Sequence, residues 1–98
     1  MTDIRTNVRT RDLTFSVALD VIKMGMKVKR HGWQEGTALF LVQGSRFKVN
    51  RAPLNQFYEE GVELQYRPHL DRCFEDGSIG PWNPSSGDLL AEDWEICE

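Results

Sequence analysis

The chain is poor in several things at once: two cysteines, two histidines and four prolines in 98 residues, no basic surplus, and no long apolar run. Each shortage removes a class of protein. No stretch approaches the ~20 apolar residues that a membrane-spanning helix needs. Met1-Thr2-Asp3-Ile4-Arg5 does not lead into the apolar core of a secretory signal, so a cytoplasmic protein is expected. Twelve Lys+Arg against fifteen Asp+Glu give a net charge of −3, which argues against a general DNA or RNA binder. A pocket for a small anion needs only two or three local cations and is compatible with that balance. Cys73 and Cys97 form no CxxC pair; a single disulfide is open on paper, but a disulfide scaffold is not indicated. HExxH, a nucleophile elbow, a P-loop and GxGxxG are all missing, as are repeats and low-complexity tracts.

What remains is an ordinary globular composition, 40% hydrophobic and 28% charged, which opposes disorder. A domain this small buries roughly 60–70% of the surface its unfolded chain exposes, so its core is modest and self-association is expected. Residues 1–12 are polar and are expected to form a loosely held, flexible extension, with one domain over 13–98. Thr14 reads as an N-cap, and Phe15, Ala18, Leu19 and Ile22 then recur at i, i+3, i+4 and i+7. This predicts a helix ending near Met24, with Gly25 past its end and a half-built cap, because Val17 stands where a capping box has Glu or Gln.

From Lys27 onward the pattern is β. Short strands are expected at 27–30, at 38–43 and 46–49 around a Gly44-Ser45 hairpin, and from Val62 past Pro68. Asp76-Gly77 predicts a type I′ hairpin pairing residues near 69–75 with 78–82, and a last strand covers Trp94–Cys97. A polar connection at 50–61 closes at Gly61. The fold class is therefore α+β: one N-terminal helix on a mainly antiparallel sheet of about six short strands.

The candidate chemistry is aromatic and cationic. Trp33, Trp82 and Trp94 all stand beside turn-forming residues, where an indole face suits either stacking on a nucleobase or corner-packing in a small β domain. Trp94, alternating with Ile96, reads as core; Trp33 and Trp82 are the ligand candidates. Arg30, His31, Asn50, Arg51, Arg67 and His69 fall at element ends, where a rigid scaffold presents ligand contacts, and arginine offers a planar fork for phosphate oxygens. Asn83, Ser85, Ser86 and Asp88 can read sugar hydroxyls or base edges; the same residues are equally good turn chemistry, with Asp88 capping a short helix. His69, Asp71 and Cys73 share one strand face at period two. They read either as a metal site or, more simply, as a solvated bend after Pro68.

Taken together, Leu13-Thr14-Phe15-Ser16, the Lys27–Trp33 segment, Asn50-Arg51-Ala52-Pro53-Leu54, Tyr66-Arg67-Pro68-His69, Asp76-Gly77 to Pro81-Trp82 and Asp88-Leu89-Leu90-Ala91-Glu92-Asp93-Trp94 resemble, in order and spacing, the second type of Thoeris anti-defence proteins of phages and prophages. The likeness runs from Leu13 to Glu98. The sequence departs from it in the extra residues 1–12, in Val17, in Gly80 and in Asn83-Pro84. The resemblance implies a sponge that binds a cyclic ADP-ribose isomer, in some members also cyclic dinucleotides at separate sites, without cleaving it. It further implies a homotetramer with pockets shared between subunits, acting in the host bacterial cytoplasm. Ligand contacts are then expected at Trp33, Arg51, Arg67, Trp82, Asn83, Ser85, Ser86 and Asp88. No catalytic residue, cofactor, metal, nucleic acid or membrane partner is expected. Two other readings stand beside it: a cyclic-nucleotide phosphodiesterase using His69 and Asp71, and a structural or adaptor oligomer whose aromatics form an interface.

Overall fold

Helix α1 (Phe15–Lys23) begins where Thr14 Oγ1 accepts the Val17 amide at 3.3 Å. Its end is a complete Schellman motif: Gly25, at φ +94°, donates to Ile22 and Met26 donates to Val21. The computed structural model describes residues 9–97. Ala18 and Ile22 on the inner stripe are fully buried. Seven strands follow: β1 (Lys27–Arg30), β2 (Ala38–Val42), β3 (Ser45–Lys48), β4 (Glu63–Tyr66), β5 (His69–Cys73), β6 (Ile79–Pro81) and β7 (Trp94–Cys97). A short helix α2 (Ser86–Leu90) precedes β7. The α+β class holds, with seven strands rather than six, divided between two sheets.

The main sheet is antiparallel in the order β6-β5-β2-β1-β7. Its registers set Val28, Leu39, Leu41, Leu70, Arg72, Trp94 and Ile96 on one face. That face packs against α1, and Leu13, Ala18, Ile22, Val28, Leu39 and Trp94 form the buried core. Among the described part of the 1–12 extension, the Thr10 carbonyl accepts the Ile96 amide at 2.8 Å, so this stretch runs beside β7; residues 1–8 lie outside the described residues. Leu13 and Trp94 then exchange both backbone bonds, at 2.9 and 3.1 Å.

Three local expectations are corrected. Strands β2 and β3 do not form a hairpin: β2 pairs with β1 and β5, and β3 with β4 alone. The strand expected to run through Pro68 is likewise cut into β4 and β5. Both breaks have one cause. Pro68 cannot donate to a ladder, and beside it Gly44 passes so close that a Cβ would lie 2.4 Å from the Tyr66 carbonyl. The chain therefore leaves the main sheet at 43–44 and returns at 67–68. Between them, residues 45–66 form an arm: the β3-β4 ribbon, a 3₁₀ turn at Leu54–Gln56, and a close at Gly61, which donates to Val49. Neither arm strand packs substantially on an element of the main sheet.

The third correction concerns the Asp76-Gly77 turn. Only Gly77 has positive φ (+85°); Phe74 accepts from Gly77 and donates to Ser78, which is a three-residue loop with a glycine bulge and not type I′. Asp76 Oδ1 accepts from both the amide and hydroxyl of Ser78 and fixes the bend. The paper disulfide also falls away: Cys73 lies opposite Ala38 on β5 and Cys97 opposite Lys27 on β7, with β2 and β1 between. Three strand spacings are about 14 Å, twice what a disulfide spans.

Gly44→Ala should destabilise the protein by about 1–3 kcal/mol, because backbone and not a flexible side chain fills the Cβ position. Urea unfolding of the two proteins measures it; an unchanged midpoint would mean the arm's root is not tightly closed.

Candidate functional site

Strand β7 places Trp94 at the centre of the molecule with no solvent exposure. Phe15 (5.2 Å), Trp33 (5.5 Å, edge-on) and Trp82 (6.0 Å, edge-on) surround its ring, measured between centroids. Its indole N–H donates to the Asp88 carbonyl at 3.0 Å, which satisfies the one polar atom a buried tryptophan carries. Trp94 is the core residue expected. Trp33 and Trp82 are half-buried around it.

Helix α2 is short and would not persist alone. A reciprocal capping box holds it: Ser85 Oγ accepts from the Asp88 amide and Asp88 Oδ2 from the Ser85 amide, each at 3.0 Å. Arg30 locks this cap to the sheet. Its Nε and Nη2 donate to Asp93 at 2.9 and 3.3 Å, and Nη1 donates to Asp88 Oδ1 at 3.2 Å. Burial by itself pushes the Asp88 carboxyl up; the Ser85 hydrogen bonds and the Arg30 charge outweigh it and hold the group below its usual range.

The expected contacts therefore separate. Trp33, Trp82, Asn83, Ser85, Ser86 and Asp88 belong to the main sheet and α2. The polar groups of Ser85 and Asp88 are engaged in the cap, whereas Asn83 and Ser86 are exposed with side chains unbonded among the described residues. Arg51 stands on the arm, at the far end of β2 from Trp33; five strand residues cover about 17 Å. Arg67 lies at the arm's root, where Tyr66, Arg67, His69 and Pro81 line an open cavity of about 360 Å³. A larger cavity, about 570 Å³, opens on the arm itself and includes Arg51. Neither cavity is lined by residues 82–88.

Sequence reasoning missed Arg72. From β5 its guanidinium lies over the Trp33 ring at 3.8 Å and pairs with Glu75 at 2.9 Å. Nothing in spacing signals a contact that reaches from β5 to the loop before β2. His69 and Asp71 do meet, Nε2 to Oδ1 at 3.4 Å, while His69 Nδ1 faces the Arg67 carbonyl at 3.0 Å. Cys73 instead turns toward the Phe74 carbonyl, and among the described residues no three His, Cys, Asp or Glu side chains come close enough to hold a metal. No described helix is long and apolar enough to cross a membrane.

Comparison with known proteins gives one consistent result. The family model described as Tad2-like, a Thoeris anti-defense 2-like domain, matches residues 13–97. A protein of Bacillus phage SP01 named Thoeris anti-defense 2 is 35% identical over 88 residues, covering 86% of this chain and 93% of its own.

The lowered Asp88 carboxyl has a consequence for stability. A group whose folded pKa lies below its unfolded value of ~3.9 stabilises the fold above that pH and ceases to as pH falls through the folded value. Asp88→Asn should therefore be less stable than the parent at pH 7, with the gap closing below about pH 4. Urea midpoints at pH 7 and at steps from 4 to 2 test this; parallel profiles would show that Asp88 is not linked to folding.

Proposed function

This chain belongs to the Thoeris anti-defense 2-like family, and we propose that it is a phage anti-defence sponge, which binds and sequesters a cyclic nucleotide immune signal in the host bacterial cytoplasm without cleaving it. The signal proposed is a cyclic ADP-ribose isomer, with cyclic dinucleotides as further ligands. The family match and the similarity to the phage protein support the anti-defence role. The observation that carries the chemistry is the Trp33 face: a half-buried indole at the edge of a rigid aromatic core already accepts a planar group, the Arg72 guanidinium, at 3.8 Å. A nucleobase is also planar, and would take that guanidinium's place or the ring's other side. Stacking contributes ~1–3 kcal/mol per base, and nanomolar capture requires about −12 kcal/mol. Charge-assisted bonds from arginines must supply much of the rest.

Arg51 cannot join Trp33 on one ligand within a single chain, since the arm and the tryptophan cluster lie at opposite ends of β2. A homo-oligomer, tetrameric by family resemblance, resolves this if the arm of one protomer reaches the sheet of another. Phe57 (74% exposed), Tyr58 (48%) and Tyr66 (52%) leave the arm with aromatic surface of the kind a subunit interface covers. The His69–Asp71 pair keeps a phosphodiesterase reading in view, and the product of the reaction decides between them.

Two measurements test the proposal. Incubation with a cyclic ADP-ribose isomer should deplete free ligand, and heat denaturation should return it intact by chromatography; a ring-opened product would establish an enzyme instead. Trp33→Ala should weaken binding by a hundredfold or more in calorimetry while native mass stays unchanged. Loss of the oligomer in that variant would make Trp33 an interface residue.

A further inference from the structure

The cavity on the arm, about 570 Å³, has a chemically one-sided lining. Arg46, Lys48 and Arg51 border it, with Asn50, Phe47 and Tyr66, and no carboxylate does. In a protein of net charge −3 three cations around one cavity without an acid form a local field for an anion. These cations are engaged weakly or not at all elsewhere. Among the described residues Lys48 and Arg51 have no carboxylate within 4.0 Å, and Arg46 meets only Glu63, at 3.8 Å with both side chains largely exposed. A pair of that kind contributes little and yields readily to a better anion.

The lining draws on both faces of the ribbon, Phe47 and Tyr66 from one and Arg46 and Lys48 from the other. Phe47 and Tyr66 pack at 4.8 Å and 60°, which fixes both rings, and Tyr66 keeps half its surface open for stacking. Strand β3 pairs only with β4, so its outer edge carries backbone amides without strand partners beside Lys48 and Arg51. A volume of about 570 Å³ falls within the ordinary range for small-molecule sites, ~300–1,000 Å³.

We propose that this cavity is the diphosphate-binding part of the ligand site, with Lys48 and Arg51 as the phosphate partners, Arg46 as a third cation at the rim, and Tyr66 as the stacking wall. Two free cations match the two charges of a diphosphate bridge. The identity of the nucleotide rests on the sponge reading above; the existence of an anion site on the arm does not. Arg67, which borders the other cavity, lies outside it.

The test uses the full chain with inorganic pyrophosphate and, separately, cyclic ADP-ribose, followed by amide chemical shifts and calorimetry. Pyrophosphate should shift amides of residues 45–54. Lys48→Ala with Arg51→Ala should weaken pyrophosphate binding at least tenfold, Arg67→Ala less than twofold, and added salt should weaken the parent's binding. All three positions are exposed or on the arm's surface, and an unchanged circular dichroism spectrum confirms folding of the variants. Shifts confined to residues near Trp33 or 82–88, or no pyrophosphate binding, overturn the arm site. Tight cyclic ADP-ribose binding that survives the double substitution also overturns it while leaving the sponge reading intact. Pyrophosphate binding on the arm with no binding of any cyclic nucleotide supports the anion site and rejects the sponge.

Discussion

The burial of a single indole organises this molecule. Trp94 touches the start of α1 through Phe15, the loop before β2 through Trp33 and the end of β6 through Trp82, and its N–H holds α2 through the Asp88 carbonyl. Removing a buried tryptophan of this kind costs on the order of 3–5 kcal/mol, a large part of the ~5–15 kcal/mol by which small domains are stable. The side chains around it gain more than packing. Trp33 and Trp82 are fixed in angle by edge-to-face contacts, so these two half-buried rings are presented by a rigid base rather than by mobile loops. Preorganisation of that sort limits the entropy lost when a ligand is captured.

The polar frame around the indole follows from the same need. A five-residue helix cannot hold itself, since helix nucleation is unfavourable and only a few bonds repay it. The Ser85–Asp88 box satisfies its first amides, and Arg30 then ties the cap to β1 with a fork shared between Asp88 and Asp93. A guanidinium so engaged has three of its five N–H donors committed to carboxylates. Groups that read as ligand contacts by type thus serve the scaffold that carries Trp33 and Trp82, and the cations free for a ligand stand elsewhere.

This division marks how far the sequence could be read. Local chemistry was legible: the Thr14 cap, Gly25 at the helix end, β1 and β7, and the buried place of Trp94 all follow from nearest neighbours and periodicity. The pairing of β2 was not. Gly44-Ser45 between two apolar strands is a sound hairpin signal, and it is overruled by contacts with Tyr66 and Pro68, more than twenty positions on. The same non-local event hid the arm, and with it the grouping of Arg46 and Lys48 beside Arg51. The i, i+2 spacing of those cations was visible, but its meaning depended on knowing that β3 has a free edge. Arg72 left no trace at all, because its stack on Trp33 exists only once β5 lies beside β2.

The proposed capture without cleavage has a structural rationale on the arm. Hydrolysis of a phosphoanhydride or phosphodiester needs a group that can take a proton from the attacking water, or a metal that lowers its pKa. The arm cavity is bordered by Ser45, Arg46, Phe47, Lys48, Asn50, Arg51 and a few apolar neighbours, with no histidine, carboxylate or thiol among them. Of the two imidazole–carboxylate pairs in the described chain, His69 with Asp71 lies beyond the arm's root, where His69 borders the other cavity, and His31 with Glu95 lies at the end of β1 against β7. Cations can also stabilise the charge that develops in a phosphoryl transition state, so in the proposed reading it is the lack of a proton acceptor in the lining, not the cations, that favours capture. A diphosphate held by Lys48 and Arg51, as proposed, would be gripped by charge, with the Glu63 carboxylate already paired to Arg46 at the rim.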